Sequence, residues 1–363
     1  MRARRVIRSV VFACAALYSA CIPPFQAQIR SKTTIAVDVD LVQIPVVIFD
    51  EKGEVATNLE KTDFRLFDDG IEQRILYLDK ERVPVSFVVL ADLSSSMTAK
   101  IPFVREAALS LFDSPEEENR YQDEYSFVEI GKRPKTLLAF THDQEDLERR
   151  LPLLLRDTNE STALFDGIWL GVRTAREDAI NRHRAMIIIT DGGDNHSRYN
   201  LKETRSLLEE VDMPVFAVMA GPTFELPRIF RPSQKKRDPF PWGKQTGPQF
   251  PDLPIGVSGD DYIGPAERRG PHNMQELTET TGGGVFTARH EEDLARIVGT
   301  IGLAVRYRYV LTYKPVHGDG FPHTVQNVEG KSVTHKVCVQ LYPTEKFKRY
   351  SFPYYKRSYH SIE

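Results

Sequence analysis

Runs of consecutive apolar residues alternate with stretches of helical periodicity in the middle of the chain. Residues 85–91, 185–190 and 215–219 are almost entirely apolar, which is typical of strands that are covered on both faces of a sheet. Further strands are predicted near 125–130 and 135–140, and helices at about 98–113, 147–155, 164–180, 201–211, 273–281 and 291–303. This alternation predicts an α/β fold with a doubly wound, mostly parallel sheet and helices on both sides.

The two flanking regions have a different pattern, with short alternating segments that are typical of antiparallel strands. Such segments occur at residues 35–49, 63–67, 73–77, 306–313 and 334–341. Neither flank contains enough strands to form a core alone. We therefore expect residues 84–303 to form an α/β domain that is inserted in a smaller β-sandwich-like domain, formed by residues 35–82 and 304–363.

A proline-rich stretch interrupts the α/β pattern at residues 221–271, which contain ten of the 23 prolines of the chain. We interpret it as an insertion. Two interpretations stay open, a loosely packed loop and a loop that contacts a partner, because long irregular loops are often one or the other.

The first 27 residues resemble a targeting segment. Four arginines in the first eight residues precede an apolar run at 10–20, which is short for a membrane anchor but suits the core of a secretory signal. We expect an exported protein that is periplasmic, envelope-associated or secreted, with a short buried helix as the alternative. Residues 17–21 are similar to a lipoprotein signal, which would make Cys21 a lipid anchor. Ordinary cleavage after Ala20 or Ala27 is the competing expectation.

Composition excludes several classes of protein. Hydrophobic residues make up 41% and charged residues 27% of the 363 residues, with a net charge of -3. This composition is globular, and the charge argues against a nucleic-acid partner. Three cysteines, Cys14, Cys21 and Cys338, are too few for a disulfide scaffold or a cysteine-rich zinc module.

Oxygen-bearing side chains follow two of the apolar strands. Asp92, Ser94 and Ser96 come directly after residues 85–91, and Asp191 comes directly after residues 185–190. Ligands of doubly wound sheets bind at the carboxyl ends of the strands, and Thr162, before a predicted helix, adds a further hydroxyl. Such hard donors suit Mg²⁺, with Mn²⁺ or Ca²⁺ as alternatives. Serine and aspartate also cap helices, so each segment alone is a weak signal.

These five residues, in this order, resemble the metal-ion-dependent adhesion site of von Willebrand factor A-type (VWFA) domains. The likeness covers residues 84–303, and the family's usual glycine between the two serines is Ser95 here. It implies that Ser94, Ser96 and Thr162 contact the metal directly, while Asp92 and Asp191 often act through water. The flanking segments at 59–64, 68–70 and 309–313 are similar to those of an exported acidobacterial VWFA-related family.

The resemblance implies a non-enzymatic adhesion module that binds an Asp or Glu carboxylate of a protein partner through the metal. A metal-assisted hydrolase using Asp92 and Asp191, and an envelope scaffold with a vestigial site, are the alternatives. Against the hydrolase, the sequence has no nucleophile elbow, no His-Glu-x-x-His motif and no phosphate-binding loop. His196 is expected to be a solvated loop residue, and Asp166 to face solvent or to stabilise the loop.

Overall fold

The chain was analysed as a computed structural model that describes most of the residues after position 40. The described residues are 41–50, 53–112, 122–156, 161–220, 265–288, 290, 292–316, 332–342 and 352–362. They all belong to one unit, Asp40–Glu363. The predicted signal at 1–27, Cys21 and most of the predicted insertion lie outside the described residues.

Fourteen strands are present in the described ranges. In chain order they are β1 (Val42–Phe49), β2 (Phe64–Asp68), β3 (Ile71–Gln73), β4 (Ile75–Arg82), β5 (Val85–Asp92), β6 (Glu124–Ile130), β7 (Lys135–Thr141), β8 (His183–Thr190), β9 (Val215–Met219), β10 (Val285–Thr287), β11 (Tyr307–Tyr313), β12 (Ser332–Leu341), β13 (Phe352–Tyr354) and β14 (Ser358–Ile362).

The described residues also contain six α-helices and two short 3₁₀ helices. The α-helices are α1 (Ile101–Ser110), α2 (Gln144–Leu154), α3 (Leu164–Asp178), α4 (Leu201–Glu210), α5 (Pro265–Thr281) and α6 (Asp293–Arg306). The 3₁₀ helices span Lys61–Asp63 and Ser95–Lys100. Among these helices, none combines the length and the apolar character needed to cross a membrane.

Six strands form the central sheet, in the order β7-β6-β5-β8-β9-β10. All neighbouring pairs are parallel except β6 with β7. Strand β5 comes first in the chain but lies inside the sheet, so the chain winds to one side through β6 and β7. It then winds to the other side through β8, β9 and β10. The sheet is therefore mostly parallel and doubly wound, and its switch point lies between β5 and β8.

Helices cover both faces of this sheet, which explains the continuous apolar runs. Phe87 and Val89 of β5 point into a core shared with α1, α2 and α6. Val88 and Leu90, on the other face, belong to a core shared with α3, α4 and α5. Because successive side chains of a strand point to opposite faces, a strand between two helical layers needs apolar residues at every position.

The two terminal segments pair with each other in two antiparallel sheets, ordered β13-β1-β11-β4 and β14-β12-β2-β3. Each sheet combines strands that precede the central sheet in the chain with strands that follow it. Val46, Leu66, Leu311 and Val339, from four of these strands, belong to one cluster of buried side chains. The insertion of the α/β domain within a β-sandwich-like domain, with its boundaries, stays a prediction.

The chain enters and leaves the central sheet beside one buried ion pair. Arg306, at the end of α6, donates from Nε to Asp123 Oδ2 at 2.6 Å, and Asp123 Oδ1 accepts the N–H of Val85 at 2.8 Å. The carbonyl oxygen of Arg306 accepts the N–H of Val83. Both charged side chains are almost completely buried, so this pair joins the first strand of the central sheet to its last helix.

Three short strands, β10, β13 and β14, were missed by the sequence pattern. Tyr354 of β13 is buried with its ring against Phe49 and Phe286, at centroid distances of 5.3 and 5.9 Å. Helix α5 also begins earlier than expected. Residues 265–271, which we had assigned to the insertion, are helical in the structure.

Candidate metal centre

The loop after β5 begins at Asp92, whose side chain is completely buried. Its Oδ1 accepts the backbone N–H of Ser94 at 3.1 Å, and its Oδ2 accepts the hydroxyl of Thr190, the last residue of β8, at 2.7 Å. The chain then turns into the 3₁₀ helix Ser95–Lys100. The hydroxyl oxygens of Ser94 and Ser96 lie 3.2 Å apart. The alternate serines therefore place two oxygen donors beside each other.

The loop after β8 places Asp191 beside this group. Ala91 of β5 pairs with Ile189 of β8, so the two strands end at the same edge of the sheet. Asp191 is buried, and its Oδ1 accepts the N–H of Gly193 at 3.1 Å. The two acidic loops therefore follow neighbouring strands at one edge of the sheet, beside its switch point.

Two glycines allow this loop to approach α5 closely. Gly192 has a φ of +86°, which strongly favours glycine. A Cβ atom on Gly270 of α5 would lie 2.5 Å from the carbonyl oxygen of Gly192. The position of the backbone next to Asp191 thus depends on the absence of a side chain at both positions.

Thr162 lies in a third loop, directly before α3, and is buried. Its N–H donates to the side-chain oxygen of Asn195 at 3.0 Å, and its carbonyl accepts the N–H groups of Asn195 and His196. Asp194 Oδ1 accepts the N–H of Leu164, the first residue of α3, at 2.8 Å. The Thr162 loop is therefore hydrogen-bonded to the loop that carries Asp191.

Of two further residues near this centre, one supports a loop and the other is exposed to solvent. Asp166 is buried, and its carboxylate accepts the N–H groups of Arg198 and Tyr199 at 2.9 and 3.2 Å. It stabilises the loop after Asp191, which was one of its two expected roles. The side chain of His196 is exposed, as expected for a loop histidine.

The electrostatic state of the centre is dominated by two acidic groups. Burial, and after it the negative charge of Asp191, together raise the pKa of Asp92 to about 7. Hydrogen bonds from Ser94 and Thr190 oppose this rise. Ionisation of Asp92 is therefore unfavourable unless a positive charge lies beside it.

The donor set fits a hard divalent cation. Asp92 and Asp191 supply carboxylates, and Ser94, Ser96 and Thr162 supply hydroxyls, whereas none of the five supplies an imidazole or a thiolate. Oxygen donors of this kind suit Mg²⁺, Mn²⁺ and Ca²⁺. Contacts within the structure join Asp92, Ser94 and Ser96, and loop hydrogen bonds connect Thr162 to the Asp191 loop. The assignment of these five residues as metal ligands stays a prediction.

Sequence reasoning missed the residues that hold these donors in place. Thr190 binds Asp92, Asn195 binds the backbone of Thr162, and Asp194 caps α3. Asn195 and Asp194 contact residues more than 25 positions away, so the local pattern carries no signal for these roles.

A second group of potential metal ligands occurs in the terminal sheets. Asp68, Asp69 and His335 each offer one ligand atom, and these atoms all lie within 4.8 Å of one another. Sequence reasoning did not find this triad. His335 lies 266 positions after Asp69, and only the pairing of β2 with β12 brings the two together.

Comparison with known proteins found similar chains among solved structures. No family model and no curated protein matches the chain. Among solved structures, a conserved hypothetical protein BatB from Bacteroides thetaiotaomicron has 16% identity and a TM-score of 0.39, covering 61% of this chain and 99% of its own. Proximal thread matrix protein 1 from the mussel byssus, with a zinc-occupied MIDAS motif, has 13% identity and a TM-score of 0.41, covering 66% and 50%.

A further similar structure is the vWF domain of the type V pili tip protein Mfa5 from Porphyromonas gingivalis. Its identity is 20% and its TM-score 0.27, over 31% of this chain and 39% of that one. Identities and scores this low carry no argument about ligands or activity. The strand order is that of a mixed α/β protein with a mostly parallel sheet and two antiparallel sheets. The described residues also contain two groups of potential metal ligands.

Proposed function

We propose that the protein is a divalent-metal-dependent protein-binding module of the cell envelope, and that it is not an enzyme. The residues proposed to hold the cation, Mg²⁺, are Asp92, Ser94, Ser96, Thr162 and Asp191. A carboxylate from an Asp or Glu of the partner protein completes the coordination. The observation that carries the proposal is the meeting of the Asp92 and Asp191 loops at the switch point between β5 and β8, where doubly wound sheets bind ligands.

The composition of the donor set favours an external carboxylate. Three of the five proposed ligands are neutral hydroxyls, so the cation keeps positive character that an anionic group can satisfy. Asp92, Thr162 and Asp191 are buried, whereas Ser96 is exposed. A partner would therefore approach from the exposed side, where Ser96 lies, and the carboxylates would hold the cation from the buried side.

The hydrolase alternative has a specific difficulty at Asp92. Its pKa of about 7 lies in the range of a general base. However, its two oxygens accept hydrogen bonds from Ser94 and Thr190, and the side chain has no exposed surface. A group in this position supports the site and does not reach a substrate proton, which favours binding over turnover.

We infer a VWFA-type domain, set within a β-sandwich-like domain as in the exported acidobacterial proteins that the sequence resembles. Export to the periplasm, the envelope or the medium follows from the signal-like residues 1–27. Retention by a lipid at Cys21 or release after cleavage are the two forms of that export.

An affinity capture from envelope extract tests the proposal. Full-length protein is immobilised with Mg²⁺ or with EDTA, and wild type is compared with Asp92→Asn, which keeps the size and planar shape of the side chain but removes its charge. We expect a partner that is retained only by wild type with Mg²⁺. The control variant Asp69→Asn, which changes a carboxylate outside the five proposed ligands, should retain it as well.

Two outcomes would overturn the proposal. Equal capture in every lane would favour a scaffold whose site is vestigial. Metal-dependent turnover of components of the extract by wild type, lost in Asp92→Asn, would favour the hydrolase. Where a partner is captured, its acidic peptides and their Asn or Gln counterparts show whether a carboxylate is the recognised group.

A further inference from the structure

The triad of Asp68, Asp69 and His335 lies where two distant parts of the chain pair. Asp68 is the last residue of β2, and Asp69 follows it in a turn with a φ of 47°. His335 belongs to β12, the neighbour of β2 in its sheet. The N–H of Asp69 donates to the carbonyl of Lys336, and the N–H of Lys336 donates to Asp69 Oδ1. The backbone therefore holds the turn against β12.

One carboxylate oxygen of this triad is buried without a hydrogen-bond partner. Asp68 is only 3% exposed, and its Oδ1 atom has no partner among the described residues. Its Oδ2, by contrast, accepts the hydroxyls of Tyr313 and Tyr359, both at 2.8 Å. Leaving a buried carboxylate oxygen unsatisfied is unfavourable. The asymmetry between the two oxygens indicates that Oδ1 has a partner of another kind.

The surroundings orient the other two members. His335 is buried, its ring is stacked on Tyr359 at 4.9 Å between centroids, and its Nδ1 lies 2.8 Å from Asp69 Oδ2. The hydroxyls of Tyr313 and Tyr359 both donate to Oδ2 of Asp68 and so hold its carboxylate in one orientation. Ligating carboxylates in metal sites are commonly hydrogen-bonded in this way, which fixes their orientation.

We propose that Asp68, Asp69 and His335 form a Zn²⁺ site that is separate from the centre at Asp92. One imidazole and two carboxylates match zinc, which accepts both nitrogen and oxygen ligands, whereas Mg²⁺ prefers oxygen alone. Two negative charges balance the charge of the ion. A tetrahedral zinc with bonds of about 2.0–2.1 Å places its ligands about 3.3 Å apart, so the triad needs only small side-chain movements.

The exposure of the three side chains indicates how an ion enters the site, and their positions in the chain indicate what a bound ion would stabilise. The side chain of Asp69 is 43% exposed, whereas that of His335 is 4% exposed, so an ion can enter past Asp69 and reach the two buried ligands. A bound ion would connect β2 with β12 across more than 260 positions of the chain. Because the unfolded chain lacks the assembled site, Zn²⁺ should stabilise the pairing of the two terminal segments.

Zinc binding by the full-length protein tests this inference. Zn²⁺ is titrated in competition with a chromophoric chelator, with excess Mg²⁺ present so that the centre at Asp92 does not contribute. We expect one tight equivalent of Zn²⁺ in wild type, and affinity at least about tenfold lower in His335→Gln and in Asp69→Asn, since loss of one ligand removes one metal bond. His290→Gln, which changes an exposed histidine outside the triad, should behave as wild type.

Co²⁺ provides a second, spectroscopic measurement. Its visible absorption should report a site with one nitrogen ligand in wild type and in Asp92→Asn, and should be lost in His335→Gln. Asp69→Asn keeps the side-chain oxygen that accepts the N–H of Lys336, so its folding is the least affected of the triad variants. Equal zinc affinity in wild type and in the folded Asp69→Asn and His335→Gln variants would overturn the inference, as would absence of tight binding in wild type. Neither result bears on the function proposed for the centre at Asp92.

Discussion

The two groups of ligands place a carboxylate in the protein interior in opposite ways. Asp92 is buried near another carboxylate, Asp191, whose charge raises its pKa. Asp68 is buried beside Tyr313 and Tyr359, whose hydroxyls both donate hydrogen bonds to its Oδ2. The first group thus places one buried carboxylate near another, whereas the second supplies hydrogen-bond donors to its buried carboxylate. From this difference in neighbours we expect the two groups to select different metals.

The largest expected effect is that a variant in each group loses affinity for one metal and keeps its affinity for the other. Asp92→Asn should lower the affinity for Mg²⁺ at least about 100-fold, because it removes a buried charge, and should leave Zn²⁺ binding unchanged. His335→Gln should do the reverse. Calorimetry with each metal measures both. Loss of both metals in both variants would show that the two groups are not independent.

The next effect is a pH dependence of the metal-free protein. Because the folded pKa of Asp92 lies above the unfolded value, the folded state holds the extra proton between about pH 4 and 7. The free energy of unfolding should therefore fall as pH rises through this window, by up to about 1.4 kcal/mol per pH unit. Chemical denaturation at several pH values in EDTA measures this slope.

Asp92→Asn is the control for that slope, since asparagine does not titrate. The variant should flatten the contribution in this window, and it should be more stable than wild type near pH 8 without metal. Saturating Mg²⁺ should flatten the slope of wild type as well, because binding of the cation favours the ionised carboxylate. An unchanged slope in Asp92→Asn would show that the dependence arises elsewhere.

A smaller effect is expected from the glycine contact beside Asp191. In Gly270→Ala the new methyl group would meet the carbonyl of Gly192 at 2.5 Å, so the Asp191 loop must move. We expect about tenfold weaker Mg²⁺ binding, of the size seen when supporting groups of a metal site change, and unchanged Zn²⁺ binding. Gly299→Ala in α6 is the matched control, because its nearest contact is an ordinary 3.4 Å. Equal Mg²⁺ affinity in both variants would contradict the role of this contact.

The smallest effect is the loss of one hydroxyl from the second group. Tyr313→Phe removes one of two hydrogen bonds to Asp68 Oδ2, and the remaining bond from Tyr359 should limit the loss of stability to about 1–2 kcal/mol. Thermal or chemical denaturation measures the change. Mg²⁺ binding should be unaffected, whereas Thr190→Val, which removes the hydroxyl from Asp92, should weaken it. If Mg²⁺ affinity fell equally in Tyr313→Phe and in Thr190→Val, the two groups of ligands would not be independent.

The sequence predicts the central sheet well because burial on two faces leaves a strong local signal. Strands β5, β8 and β9 have apolar residues at nearly every position, which few other environments require. The three residues of β10 and of β13 are too few to show a pattern. Strand β10 pairs with β9 and β13 pairs with β1, and Tyr354 of β13 is buried among aromatic rings from other parts of the chain.

The two groups of ligands also differ in how strongly the local sequence indicates them. Asp92, Ser94 and Ser96 are adjacent in the chain, and the rule that ligands bind beyond the carboxyl ends of parallel strands connects them to Asp191. No comparable rule connects His335 with Asp68 and Asp69, because the spacing of residues within a segment does not predict which distant segment it pairs with. Supporting contacts, such as Asn195 with Thr162, are equally long-range and appear only in the folded chain.

The central claim is that the β5 and β8 loops hold one divalent cation together. The most direct test is the electron paramagnetic resonance signal of Mn²⁺ titrated into wild type, Asp92→Asn, Asp191→Asn and the control Asp194→Asn. Asp194 lies in the same loop as Asp191 but caps α3. Wild type and Asp194→Asn should bind one Mn²⁺ that excess Mg²⁺ displaces, while the other two variants should leave the ion free. Binding by Asp92→Asn and Asp191→Asn that equals wild type would contradict it.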